Sequence, residues 1–194
     1  MFNSLKFKVI LFGFIFTFFS SFGQSYFLGL FNSSIRDALS ITHGQFGSIY
    51  ASATLCSSLL LIWVGKKIDD VNIFKFAFFV TILLSFACFF FSKISSVFLL
   101  FIGIFLMRFS GQGMMSHTAS TTISRYFTKT RGRALSISWF GLSSAEFIMP
   151  VLMVYLLTII DWQNLWLIFS LSVLIILPIA SFLLIKNLNL DSRE

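Results

Sequence analysis

"MRFSGQGMMSHTAS", residues 107–120, puts an arginine and then a histidine inside a stretch that is otherwise apolar enough to cross a membrane. The surrounding run covers residues 97–123. An apolar run of about 18 residues or more is a membrane-helix candidate, because roughly 20 residues rising 1.5 Å each cross the hydrocarbon layer. Five further runs qualify: residues 9–31, 46–64, 73–91, 134–159 and 165–185. Composition agrees, with 57% of the residues hydrophobic, 28 phenylalanines among 194 residues and only 11% charged, more apolar material than a soluble domain of this size needs. The expected fold is an all-α membrane protein of six transmembrane helices. Short polar connections such as "GKKIDDVN" and "RYFTKTRGR" fold the helices back on one another as antiparallel neighbours.

Lys6 and Lys8 ahead of an apolar stretch, with small residues at Ser21 and Gly23, resemble a secretory leader. The stretch is nevertheless long enough to span and carries polar residues at helical spacing, so it reads as a first membrane helix. Of the 14 lysines and arginines, only Arg36 and Lys93 fall outside when both termini are placed in the cytoplasm. The cytoplasmic set is Lys6, Lys8, Lys66, Lys67, Lys75, Arg125, Lys129, Arg131, Arg133, Lys186 and Arg193, and Arg108 lies within a span. Cytoplasmic loops accumulate basic residues, so this orientation is expected, in a plasma or bacterial inner membrane. The net charge of +7 then belongs to topology and implies no nucleic acid. Trp63, Trp139, Trp162 and Trp166 fall near the expected interfaces as an aromatic belt, and Cys56 and Cys88 read as small core residues.

Arg108 carries the functional argument. A charge at mid-helix costs roughly 2.5–3.5 kcal/mol on insertion scales, and such residues mark pathways. Arg108 lies about 16 Å along its run at 1.5 Å per residue, close to the middle. Gln112 and Ser116 follow at four-residue steps, which on an α-helix continues a polar line below it. His117 falls on the opposite side of an α-helix and reads as a hydrogen-bonded packing residue beside Gly113. Thr17, Ser20 and Gln24 on the first helix and Tyr50, Thr54 and Ser57 on the second form further stripes, facing a partner helix or a cavity. A second buried charge, Glu146 in "GLSSAEFIMP", comes about 20 Å into the fifth helix from its cytoplasmic end, level with Arg108. Pro150 frees the Glu146 carbonyl and is expected to kink that helix. Arg108 and Glu146 form either an ion pair that pins two helices or a pathway pair that separates during a cycle. The substrate-binding candidates are Arg108, Gln112, Gln24, Ser116 and Tyr50; Glu146 is the proton-coupling candidate.

"FGQS" at 22–25 and "SGQG" at 110–113 sit at matching depths in the first and fourth helices, which run in opposite directions. This is the signature of two inverted three-helix repeats around a midplane site. On these motifs the chain resembles the major facilitator superfamily of secondary transporters, as one six-helix half of a twelve-helix fold. "GKKIDD" resembles that family's cytoplasmic loop between helices two and three, with Gly65 and Asp69 as gating-loop residues, although "VNIFKF" stands where a glycine and basic residues follow in the family. "RFSGQG" resembles the fourth-helix motif whose arginine faces the cavity, "RGRAL" the entry to the fifth helix, and Gly141 with Pro150 the glycine–proline motif of that helix.

The resemblance implies alternating access and no cofactor. It also implies a second six-helix half, or a copy of this chain, as partner, the present sequence being a truncated product or one half of a pair. A cavity arginine favours a small organic anion, since the guanidinium fork matches a carboxylate. No nucleotide-binding loop is present in the sequence, so an ion gradient is the expected energy source. Two other readings stand beside transport: a six-span intramembrane serine protease, pairing Ser143 or Ser144 with His117, and a membrane partner subunit with no substrate of its own.

Overall fold

The computed structural model describes residues 4–186 and 188. Arg193, counted above among the cytoplasmic residues, lies outside the described residues. Those residues form helices and turns, with six helical segments long and apolar enough to cross a membrane.

The first span does not run unbroken through residues 9–31. Helix α1 (Ser4–Ser20) tightens into a 3-10 turn at Ser21–Gly23, Gln24 is extended (φ −79°, ψ 153°), and α2 (Ser25–Leu30) restarts the helix. The segment after it is not a loop either. Residues Asn32–Leu39 form α3, with the Arg36 Nε–H donating to Asn32 Oδ1 at 2.7 Å, and a left-handed Ser40 closes it. Helix α4 (His43–Val64) begins at Thr42, whose side chain and that of Gln45 cap each other's backbone, a pattern that satisfies two otherwise orphaned N–H groups. A 3-10 turn at Gly65–Asp69 follows it. Helix α5 (Ile73–Phe91) starts where Asn72 Oδ1 accepts from the backbone of Phe74 and Lys75, and Ser96 caps α6 (Val97–Met107) in the same way. The fourth span then winds as a π-helix over Arg108–Met115 before resuming as α7 (Ser116–Tyr126). Helix α8 (Arg131–Leu156) continues through Pro150, and α9 (Trp162–Ile185) completes the bundle.

Packing follows the inverted-repeat rule. Helix α1 packs most extensively on α8, α5 on α9, and α4 on α6 and the π segment. Exchanging the first span with the fourth, the second with the fifth and the third with the sixth turns the first–fifth pair into the fourth–second pair. The third–sixth pair is left on itself, and there the exchange is visible in single bonds. Ser85 Oγ donates to the Ser170 carbonyl at 3.0 Å, and Ser170 Oγ to the Ser85 carbonyl at 2.8 Å.

Small residues set the close crossings, as they do where apolar side chains gain nothing by leaving lipid. The backbones meet at Gly141, where an added Cβ would lie 2.1 Å from the Phe14 carbonyl oxygen. This closeness accompanies the 2.6 Å bond from Thr17 Oγ1 to the Ser138 carbonyl; with Ser20 Oγ on the Thr17 carbonyl at 2.7 Å, that stripe serves helix packing. Trp166 is wholly buried, ringed by Phe22, Phe27, Phe31, Phe91 and Phe169, so it is a core residue and not an interface anchor. Cys88 is buried but Cys56 is exposed, because α4 turns most of its surface outward. Only 11% of the second span and 22% of the fifth are buried in the bundle, against 39–50% elsewhere, so α4 and α8 carry its least covered faces.

The first and fourth spans also meet backbone to backbone. A Cβ on Gly23 would fall 2.3 Å from the Met107 carbonyl oxygen and 2.4 Å from the Gln112 nitrogen, and one on Gly111 would fall 2.6 Å from the Gly23 nitrogen. Backbone cannot yield as a side chain does. Gly23→Ala or Gly111→Ala should therefore lower stability by about 1–3 kcal/mol or more, read as a fall in thermal unfolding temperature in detergent. Gly29→Ala, with open space at its Cβ, should leave it unchanged.

Candidate functional site

The site forms where the two irregular segments touch. Unwinding at Gly23–Gln24 leaves carbonyls without helical partners, and Arg108, first residue of the π segment, reaches one of them. Its Nη1 donates to the Gly23 carbonyl at 3.0 Å and to Ser25 Oγ at 3.2 Å. Ser25 Oγ also accepts from the Tyr50 hydroxyl at 2.9 Å, so both of its lone pairs are used. The Tyr50 ring faces the guanidinium, 5.4 Å from centroid to Cζ, within cation–π range. Arg108 is only 8% exposed.

No carboxylate meets it. Among the described residues Arg108 and Glu146 form no ion pair. Glu146 is exposed on α8 and lies within electrostatic reach of the Tyr26 hydroxyl. The guanidinium is turned instead toward the break in the first span and toward α4. Its Nε is buried and has no acceptor among the described residues. Arg108 helps to line a cavity of about 140 Å³ with Ser57, Ser58, Leu61, Gln112 and Gly113. Gln112 Oε1 is buried without a partner among the described residues.

The structure thus brings Arg108, Tyr50 and Gln112 together. Gln24 sits half-buried at the break itself, and Ser116 is buried just beyond the π segment and outside the cavity lining, its hydroxyl without a partner among the described residues. Sequence reasoning missed Ser25 and Ser58, although Ser58 follows Tyr50 and Thr54 at four-residue steps and Ser25 stands next to Gln24. It also misplaced His117. Each π turn takes one more residue than an α turn, so Arg108, Gly113 and His117 come to face α4 together. Leu61 packs on Gly113, and His117 Nε2 lies 2.9 Å from the Gly65 carbonyl oxygen. A carbonyl only accepts, so Nε2 carries the proton, and His117 is a hydrogen-bonded packing residue on that face. Ser144 Oγ is spent on the Phe140 carbonyl at 2.7 Å, and no hydrogen bond among the described residues joins Ser143 or Ser144 to His117.

At its C-terminal end the fourth span also holds the turn after α4. Arg125 pairs with Asp69 through Nη2 and donates from Nη1 to the Ile68 carbonyl at 3.2 Å. Asp69 is 66% exposed, so the ion pair contributes at most about 1 kcal/mol.

Six apolar helices with a charge-bearing cavity between α4 and the π segment define a multi-pass integral membrane protein built as a secondary transporter is built. Residues 13–192 match the family model of the Major Facilitator Superfamily, and the chain belongs to that superfamily: it is a six-helix half of the transporter fold. No curated protein and no solved structure matches it.

The Tyr50 ring and hydroxyl act separately on Arg108. Tyr50→Phe removes one hydrogen bond, about 0.5–1.5 kcal/mol, and keeps the ring. Tyr50→Leu should cost a further ~0.5–2 kcal/mol through the lost cation–π contact. Equal unfolding temperatures for the two variants would show that the ring does not support the guanidinium.

Proposed function

We propose that the chain takes part in alternating-access transport of a small organic anion, with Arg108 as the group that binds it. The observation that carries this reading is the buried guanidinium at a small cavity, whose partners among the described residues are all neutral. A carboxylate supplies the missing negative charge and can take two guanidinium N–H groups at once. Gln112 and Tyr50 flank the anion in this reading, with Gln24 and Ser116 lining its path through the break and below the π segment.

Glu146 is the proton-coupling group. Its carboxylate is unpaired with Arg108 in the conformation described, and it pairs with the guanidinium in another state of the cycle. Substrate arriving at Arg108 releases Glu146 to take a proton, so anion and proton move together. The turn containing Gly65 and Asp69 acts as the gating loop, released or held by the fourth span through His117 and Arg125. A second six-helix half, or a copy of the chain, covers the exposed faces of α4 and α8 and closes the cavity. The protein works in the plasma or bacterial inner membrane with both termini in the cytoplasm, the side on which the basic residues gather.

Two measurements test this in proteoliposomes. Arg108→Lys keeps the charge and loses the fork, so uptake should fall at least tenfold at unchanged protein level; full uptake by this variant would overturn the anion site. Glu146→Gln imitates the protonated form, so it should abolish uphill accumulation and preserve exchange of labelled for unlabelled substrate. Accumulation that still follows the pH gradient in Glu146→Gln would remove Glu146 from coupling.

A further inference from the structure

We infer that residues 108–115 are a register switch, in which the fourth span exchanges its π winding for an α winding and so couples Arg108 to the turn at Gly65–Asp69; the anion reading above supplies the trigger. The argument starts from which polar groups have partners. Among the described residues the fourth span has three buried side-chain atoms without one: Arg108 Nε, Gln112 Oε1 and Ser116 Oγ. These residues stand at four-residue steps, the spacing that an α-helix places on one face. Ser110, Thr118 and Thr122, by contrast, each donate to the carbonyl four residues back at 2.7 Å.

The contacts that are made belong to the other register. Arg108 Nη1 holds the Gly23 carbonyl, and nine residues later His117 Nε2 holds the Gly65 carbonyl at 2.9 Å. On an α-helix, nine residues at about 100° each put two side chains on opposite sides. The π winding takes up the extra residue and brings them to one side, so the two bonds coexist only in that register. Gly111, pressed on the Gly23 backbone, fixes the part of the span N-terminal to it. Winding to α therefore turns the C-terminal part. His117 leaves the Gly65 carbonyl, Arg125 leaves Asp69 and the Ile68 carbonyl, and Gln112 and Ser116 come into line with Arg108. An anion on Arg108 gains the Gln112 amide and the Ser116 hydroxyl as further donors in the α register alone. A ligand shifts an equilibrium by its differential affinity for the two states, so the anion favours α and frees the turn.

The test places spin labels at two exposed positions, through Asp70→Cys on the turn and Lys129→Cys after α7, with the exposed Cys56 changed to serine. Distances are measured by pulsed electron resonance on the chain in lipid nanodiscs. The clasped turn should give one main distance. His117→Ala should raise a second, longer one by up to about tenfold in population, the equivalent of one hydrogen bond. His117→Gln, whose amide N–H also donates, should keep the first distance. Adding Gln112→Leu and Ser116→Ala to His117→Ala should reverse the shift, because the groups that the α register aligns are gone. An unchanged distance in His117→Ala, or a second distance that survives the added substitutions, would overturn the switch. Hydrogen exchange of the unsubstituted chain decides the matter if these variants fail to fold: peptides covering 65–70 and 108–117 should open with one common free energy, and independent opening would overturn the coupling. Neither measurement contains an anion, so full uptake by Arg108→Lys would overturn the anion site and leave the switch standing.

Discussion

The contact of two backbones at Gly23 and Gly111 governs the centre of this molecule. With any side chain between them the first and fourth spans would stand apart, and Arg108 would lose its reach to the Gly23 carbonyl. Because the spans touch, the carbonyl freed by unwinding at Gln24 finds a donor, and the arginine finds an acceptor. Each irregularity is tolerated because of the other. Two hydrogen bonds to a charged group contribute about 1.5–3 kcal/mol each, enough to offset the roughly 2.5–3.5 kcal/mol of placing an arginine at mid-membrane.

The arginine is therefore supported without being neutralised. A carbonyl, a hydroxyl and an aromatic face stabilise a cation by dipole and quadrupole and leave the net charge in place. An internal ion pair would have hidden the same charge from any visiting anion. The surrounding rigidity has a separate source in Trp166 and its ring of phenylalanines, packed where the first, third and sixth spans meet.

Much of this was legible in the sequence because hydrophobic length is a local signal. The third span lies at residues 73–91 in both the reading and the structure, and the matched Gly–Gln pairs pointed to two spans meeting at one depth. What was not legible depended on helical phase. Counting every step at 3.6 residues put Ser116 under Arg108 and His117 behind it, and nothing in "RFSGQG" announces a π turn. The break in the first span was hidden for a related reason: Ser21, Gly23 and Gln24 are all tolerated inside a membrane helix, so only the partner's backbone explains the unwinding. The outward exposure of Glu146 and Cys56 depends on which helices lie at the edge of the bundle, which periodicity along one helix does not encode.

The paired serines of the third and sixth spans have a consequence for how this fold tolerates change. Ser85 and Ser170 each give a proton to the other's carbonyl, so each position sees a near copy of itself across a two-fold axis within one chain. In an isologous dimer the two faces are identical by necessity; here the two positions are separate residues of one chain, so one can change without the other. Serine suits both because it donates and accepts, and a change at either member leaves the hydroxyl and carbonyl of the other to find a new partner.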